Sequence, residues 1–195
     1  MIMKDSLEKY ISNYIDFTPK EYFTIRSYFK SKILKRREIL HDTNDVCYNV
    51  YFIESGIIRY YQMEDGEEVT GQFFFERGWY TDLDSFLSNS YSRQTAQAIE
   101  STSLLYISKQ DLEKLYKEVP KFERLGRLMA EQAFIGLRKK MDNLTLLDAK
   151  ERYLNLLKHR PKVIKRIPQY YIASYLGIKP QSLSRIRKDV SSDFS

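Results

Sequence analysis

Gln181 and Arg185 stand four residues apart near the C-terminal end of the chain, with Lys179, Ser182, Ser184, Arg187 and Lys188 around them. Four residues apart on a helix means one stripe of one face. Carried into a DNA major groove about 12 Å wide, an arginine bridges O6 and N7 of guanine and a glutamine pairs with adenine. Ser182, Ser184, Arg187 and Lys188 suit phosphates, as does a helix start at Gln169 and Tyr170, where backbone N–H groups point outward. The chemistry expected of these residues is recognition of double-stranded DNA. The competing reading is a structural helical hairpin whose exposed face is merely basic.

The residues between them decide against that alternative. Ile172, Leu176, Ile178, Leu183 and Ile186 supply apolar positions for two short helices, Gln169 to Leu176 and Pro180 to about Lys188. Such helices meet at ~90–120° in a helix-turn-helix. Ala173 falls where they approach closely, and Gly177 falls in the turn, where a positive φ costs glycine little. Apolar spacing, small residue, turn glycine and basic outer face all agree. Just upstream, residues 149 to 160 form an amphipathic helix that Pro161 ends.

Charge follows the same division. The chain carries a net +6, yet residues 149–195 hold 11 basic and 3 acidic side chains, a net +8, so the preceding 148 residues carry −2. A basic module on a near-neutral body is the footprint of polyanion binding. Other chemistries lack their residues. Cys47 is the one cysteine, and His41 and His159 are the two histidines. This excludes an intrachain disulfide, a thiolate zinc site and a cysteine-held iron–sulfur cluster. No nucleophile–base pair and no phosphate-binding glycine loop stands out, so no enzyme activity and no cofactor is expected. No window approaches the ~18 apolar residues of a spanning helix. The N-terminus, Met1-Ile2-Met3-Lys4-Asp5, has no apolar signal core. The expected address is the cytoplasm, with no membrane partner.

Upstream elements are legible as patterns. Leu7, Tyr10, Ile11, Tyr14 and Ile15 mark a helical face, and Thr18-Pro19-Lys20-Glu21 is a capping box opening a second helix to about Lys30. From Lys35 to Ser108 short β-branched and aromatic runs alternate with turns such as Glu54-Ser55-Gly56 and Asp65-Gly66, as in an antiparallel barrel or jelly roll. After Pro120, Phe122, Leu125, Met129, Ala133, Leu137, Met141 and Leu144 recur at helical spacing, widened by Leu128, Phe134 and Ile135. A helix of roughly 25 residues, about 38 Å long, at such a junction suits pairing with a second copy.

The segment from Ile172 to Lys188 resembles the helix-turn-helix of Crp/Fnr-type transcription regulators, especially the short versions found in Bacteroidetes. The resemblance spans nearly the whole chain. It implies a cyclic-nucleotide-binding-like β-roll as sensor, a long dimerisation helix and contact with RNA polymerase. The cyclic-nucleotide members carry Gly-Glu-Leu, whose Glu holds the ribose, and Arg-Ser-Ala or Arg-Thr-Ala, whose Arg holds the phosphate. The matching segments here are Thr81-Asp82-Leu83 and Gln94-Thr95-Ala96, with Arg93 one residue early. These residues mark the candidate effector pocket. Cyclic AMP is not the expected effector, because a buried phosphate needs a cationic partner. The family's wing is also missing, since only Asp189 to Ser195 follow the second helix.

The expected fold is α+β. An antiparallel β-roll with flanking helices occupies residues 1–120, a long dimerisation helix 121–147, and an all-α helix-turn-helix domain without a full wing 148–195. The expected function is a homodimeric, sequence-specific DNA-binding regulator whose effector is unknown. The alternative is a cyclic-nucleotide-binding signalling module whose basic end contacts a partner other than DNA.

Overall fold

The computed structural model describes residues 5–193. Residues 1–4, with the N-terminal reading placed on them, and residues 194–195, the end of the third expected domain, lie outside this range. Two short helices come first, α1 (Ser6–Ile11) and α2 (Pro19–Ser27). Eight strands follow: β1 (Lys30–Leu34), β2 (Ile39–His41), β3 (Asn49–Ser55), β4 (Ile57–Glu64), β5 (Glu67–Phe75), β6 (Trp79–Tyr80), β7 (Thr95–Ala98) and β8 (Thr102–Ser108). Helix α3 (Leu83–Ser88) interrupts them between β6 and β7. The remaining elements are helical: α4 (Lys109–Glu118), α5 (Lys121–Leu146), α6 (Ala149–His159), α7 (Pro161–Arg166), α8 (Gln169–Tyr175) and α9 (Pro180–Asp193).

The strands form two four-stranded sheets, ordered β1-β8-β3-β6 and β2-β7-β4-β5. This is the antiparallel jelly roll expected from the strand runs, and Asp65-Gly66 joins β4 to β5 as the turn signal implied. Successive strand residues face opposite sides, and β3 is buried on both. Phe52 enters a layer built with Leu7, Ile11, Ile25, Leu115, Phe122 and Leu125 from the flanking helices and Phe29 from the link between α2 and β1. Tyr51 and Ile53 enter a second layer with Leu34, Ile58, Tyr80, Ala96, Ala98 and Leu104.

The chain groups into two compact units, Met1–Tyr60 with Phe73–Ala133, and Tyr61–Gln72 with Phe134–Ser195. The tip of the β4–β5 hairpin therefore belongs to the second unit, alongside the C-terminal helices.

Three element boundaries differ from expectation. The second helix stops at Ser27 rather than near Lys30, and a strand begins at Lys30. Lys30 and Lys32 sit on β1, an edge strand, where exposed lysines are favoured and mask the strand pattern. Pro161 ends α6 but also opens α7, because proline suits the first helical position. Helix α9 runs on to Asp193 rather than stopping near Lys188, because Val190 adds a buried position one turn beyond Ile186.

The junction between β3 and β4 depends on Gly56, whose φ is +92°. A Cβ there would overlap Thr102 Oγ1 and lie 2.7 Å from Ser101 O. Gly56→Ala adds a clash to the left-handed penalty of about 1–2 kcal/mol. Urea unfolding is expected to show a loss of about 2–4 kcal/mol. A loss below about 1 kcal/mol would mean that the junction shifts to admit the methyl group.

Candidate nucleic-acid interface and sensor pocket

The C-terminal module is built around the turn between α8 and α9. Ile178 N–H donates to Ala173 O and Gly177 N–H to Ser174 O, each at 3.0 Å, with Gly177 at φ +67°. These two bonds close the end of α8 as a Schellman motif, which a left-handed glycine at this position permits. Ile172, Ala173, Leu176, Leu183 and Val190 are buried beneath it. Ala173 is fully buried, which is why a small side chain stands there.

The outer face carries the predicted polar set. Lys179, Gln181, Ser182, Ser184, Arg185 and Lys188 are exposed, and Arg187 is half-buried. Gln169 and Tyr170 are exposed at the start of α8, where no side chain caps the helix. All nine residues thus lie on one two-helix module, with Gln181 and Arg185 one turn apart on the solvent side of α9.

Residues that sequence did not single out hold this module in place. Ser174 Oγ accepts from Thr70 N–H at 2.8 Å and donates to Glu68 O at 2.7 Å, tying α8 to strand β5. Arg152 donates to Leu176 O at 3.0 Å and to Leu147 O at 2.7 Å, satisfying carbonyls at the ends of two helices. Contacts over such long sequence separations leave no local signal.

The expected effector residues are differently placed. Asp82 is buried and caps α3 by accepting from Ser85 N–H at 3.4 Å, and Ser92 Oγ donates to it at 2.6 Å. Gln94 N–H donates to Ser92 Oγ at 3.1 Å, and Thr95 Oγ1 donates to Asp42 at 2.6 Å. That bond, with the Thr43 N–H, holds Asp42 below the ordinary carboxylate range. The structure links Asp82 and Gln94 through Ser92, whereas Thr95 is tied to Asp42. Leu83 and Arg93 point to solvent, whereas Ala96 is buried in the sheet layer.

Aromatic side chains fill the roll beside this cluster. Tyr80 stacks with Tyr51 at 6.1 Å and with His41 at 5.7 Å, and meets Phe74 edge-on at 5.1 Å. Its hydroxyl lies 2.5 Å from His41 Nε2. Burial pushes the Tyr80 phenol well above its usual range. It also pushes His41 down, while the charge of Asp82 pulls it up. Neither His41 nor Tyr80 was identifiable as a pocket residue, because each occupies an ordinary strand position.

Residues 31–119 match the family model of the cyclic nucleotide-binding domain. Among solved structures, the chain is similar to a CooA mutant from Carboxydothermus hydrogenoformans, with a TM-score of 0.73, 19% identity and coverage of 97% of this chain and 85% of that one. It is also similar to the c-di-GMP responsive global regulator CLP of Xanthomonas campestris, with a TM-score of 0.71, 17% identity and coverage of 90% and 93%. A regulator assigned to the Crp/Fnr family from Eubacterium rectale gives a TM-score of 0.69, 18% identity and coverage of 93% and 88%. At these identities the likeness establishes the fold. A comparison with curated proteins by sequence finds no match.

Folding lowers the His41 pKa, so below the unfolded histidine range of about pH 6.5 the unfolded chain binds the extra proton. Stability is then full above that range and declines as the pH falls. Between pH 7 and 5, denaturant unfolding of His41→Gln is expected to show a flatter decline than the parent chain. Equal slopes would show that His41 does not carry the effect.

Proposed function

With residues 31–119 a cyclic nucleotide-binding domain in a chain of the Crp/Fnr regulator fold, we propose that this protein is a homodimeric transcription regulator that reads DNA through α9. The observation that carries the reading is the exposed Gln181–Arg185 stripe on a helix set against α8 by a glycine turn. The N-terminus of α8 at Gln169 and Tyr170, together with Lys179, Ser182, Ser184, Arg187 and Lys188, takes phosphates and fixes register. RNA polymerase is the partner through which transcription responds, and the cytoplasm is where the protein acts.

Dimerisation falls to α5. Phe122 and Leu125 are buried on their own unit, but Phe134, Leu137, Met141 and Leu144, on one face, are 44–72% exposed. An apolar stripe this open on a 26-residue helix suits a second copy of itself across a two-fold axis. The effector, if one enters the roll, is not cyclic AMP. Arg93 faces solvent, and Asp82 is committed to α3 and Ser92. Neither residue is placed to hold the phosphate or the ribose of a cyclic nucleotide.

Light scattering on the full chain is expected to give the mass of a dimer, and Leu137→Glu a shift toward monomer. A monomeric parent chain would exclude the α5 seam.

DNA reading is tested by binding titrations on specific and scrambled DNA across several salt concentrations. Arg185→Ala should cost about 1–3 kcal/mol on specific DNA and relax preference at one base pair per half-site. Lys188→Ala should weaken binding on both DNAs alike and lower the salt slope by about two in a dimer. Half-site centres should lie about 34–36 Å apart. Equal losses on both DNAs for Arg185→Ala would show that this residue does not read sequence.

A further inference from the structure

Within the second unit, the last turns of α5, helix α6 and the end of α8 line a small open cleft with a volume of about 50 Å³. Four basic side chains line it, Lys140, Arg152, His159 and Arg160, with no carboxylate among the lining residues. Leu144, Leu156 and Leu176 form its apolar wall. The cationic character is concentrated on one aromatic ring. Lys140 Nζ lies 5.2 Å and the Arg160 guanidinium 5.8 Å from the centre of Tyr175, and Arg160 donates to the Tyr175 hydroxyl at 3.3 Å.

These cations are held rather than loosely displayed. Lys140 donates to Gly71 O and Arg160 to Gln72 Oε1, both in the middle of strand β5. Arg152 is fixed by the carbonyls of Leu147 and Leu176. Asn155 bridges Asn143, at 3.3 Å, and the His159 ring, at 2.7 Å, across the same wall. Burial, and then repulsion from Arg160, push Lys140 below the ordinary lysine range. An anion entering the cleft would relieve that repulsion. Preorganised cations in a partly dry setting are what phosphate recognition uses, with guanidinium giving a two-point contact and ammonium a point charge.

We propose that this cleft is a binding site for a small phosphate-bearing anion, gripped by Lys140 and Arg160 against the Tyr175 edge. The donors are half-buried and recessed, unlike the exposed side chains of α9, which favours a free ligand over a phosphate of the DNA backbone. The same two side chains hold β5 at Gly71 and Gln72, and the neighbouring Thr70 holds Ser174 of α8. Occupancy of the cleft is thereby felt at the base of the helix-turn-helix. The binding site itself does not depend on α9 reading DNA. Its regulatory consequence does.

Calorimetry of the full chain with inorganic pyrophosphate, at ionic strength matched with chloride, tests the site. The expected result is saturable binding at one site per chain. Lys140→Met and Arg160→Met should each weaken it at least tenfold, Lys140→Arg by less than threefold, and Arg185→Ala not at all. Where a methionine variant loses its native circular dichroism, Asn155→Asp provides the test by adding a carboxylate to the wall while keeping every cation. It too should weaken binding at least tenfold. Absence of saturable binding, or binding unchanged in the Lys140, Arg160 and Asn155 variants, would overturn the proposal. A loss as large in Arg185→Ala would move the anion to the α9 face and overturn it as well. Failure of sequence-specific DNA binding with pyrophosphate binding intact would instead overturn only the reading of α9.

Discussion

Strand β3 is a wall with two dry sides, and the rest of the first unit is arranged by what it places on each. Phe52 lies 5.0 Å from Trp79 and 5.5 Å from Tyr10, ring to ring, so the flanking helices close over one face. Tyr51, turned the other way by the two-residue period, joins Tyr80 and Tyr106 inside the roll. The first contact set holds the start of α5, because Phe122 and Leu125 pack into the same layer as Phe52. The second fills, with aromatic rings, the interior that a ligand of this fold would need. Anchoring of α5 and occupancy of the roll are therefore consequences of adjacent residues on one strand.

The C-terminal module solves a different problem. Helices of 7 and 14 residues bury little by themselves, and helices this short draw their stability from tertiary packing. Here that packing comes from residues distant in sequence. The edge strand β5 offers backbone groups at Glu68 and Thr70, and the single hydroxyl of Ser174 answers both. Covering an edge with a helix also removes a site for unwanted strand pairing. Arg152 meets the carbonyls of Leu147 and Leu176, so one guanidinium joins the end of α5 to the end of α8.

How much of this was legible in the sequence follows from the range over which each signal acts. The capping box at Thr18 and Glu21, the stripe from Phe122 onward and the Ala173–Gly177 spacing are local, and each produced the element expected of it. Strand β1 was missed because its lysines satisfy an edge rather than an apolar pattern. The extension of α9 had a weak signal, because Val190 alone adds one buried position a turn beyond Ile186. In the sensor, substitutions at Thr81-Asp82-Leu83 and Gln94-Thr95-Ala96 were visible. That Asp82 would spend its oxygens on Ser85 and Ser92 was not. The cleft around Lys140 and Arg160 had no sequence signature at all, since α5, α6, α8 and strand β5 each supply only part of it.

The packing of the roll and the placement of paired cations in the second unit have a common physical basis. An arginine facing a roll already packed with Tyr51, Phe74 and Tyr80 would be a buried charge without a partner, a costly arrangement. The one guanidinium fully buried in the roll, Arg59, is accommodated because Gln97 Oε1 accepts from its Nε at 3.2 Å and from a terminal nitrogen at 2.9 Å. Lys140 and Arg160 escape the same penalty by remaining half-buried, with hairpin oxygens as acceptors and an open cleft before them. Cations can be kept ready for an anion only where water or a polar acceptor shares their solvation. In this chain that condition is met beside α8 rather than among the rings of the roll.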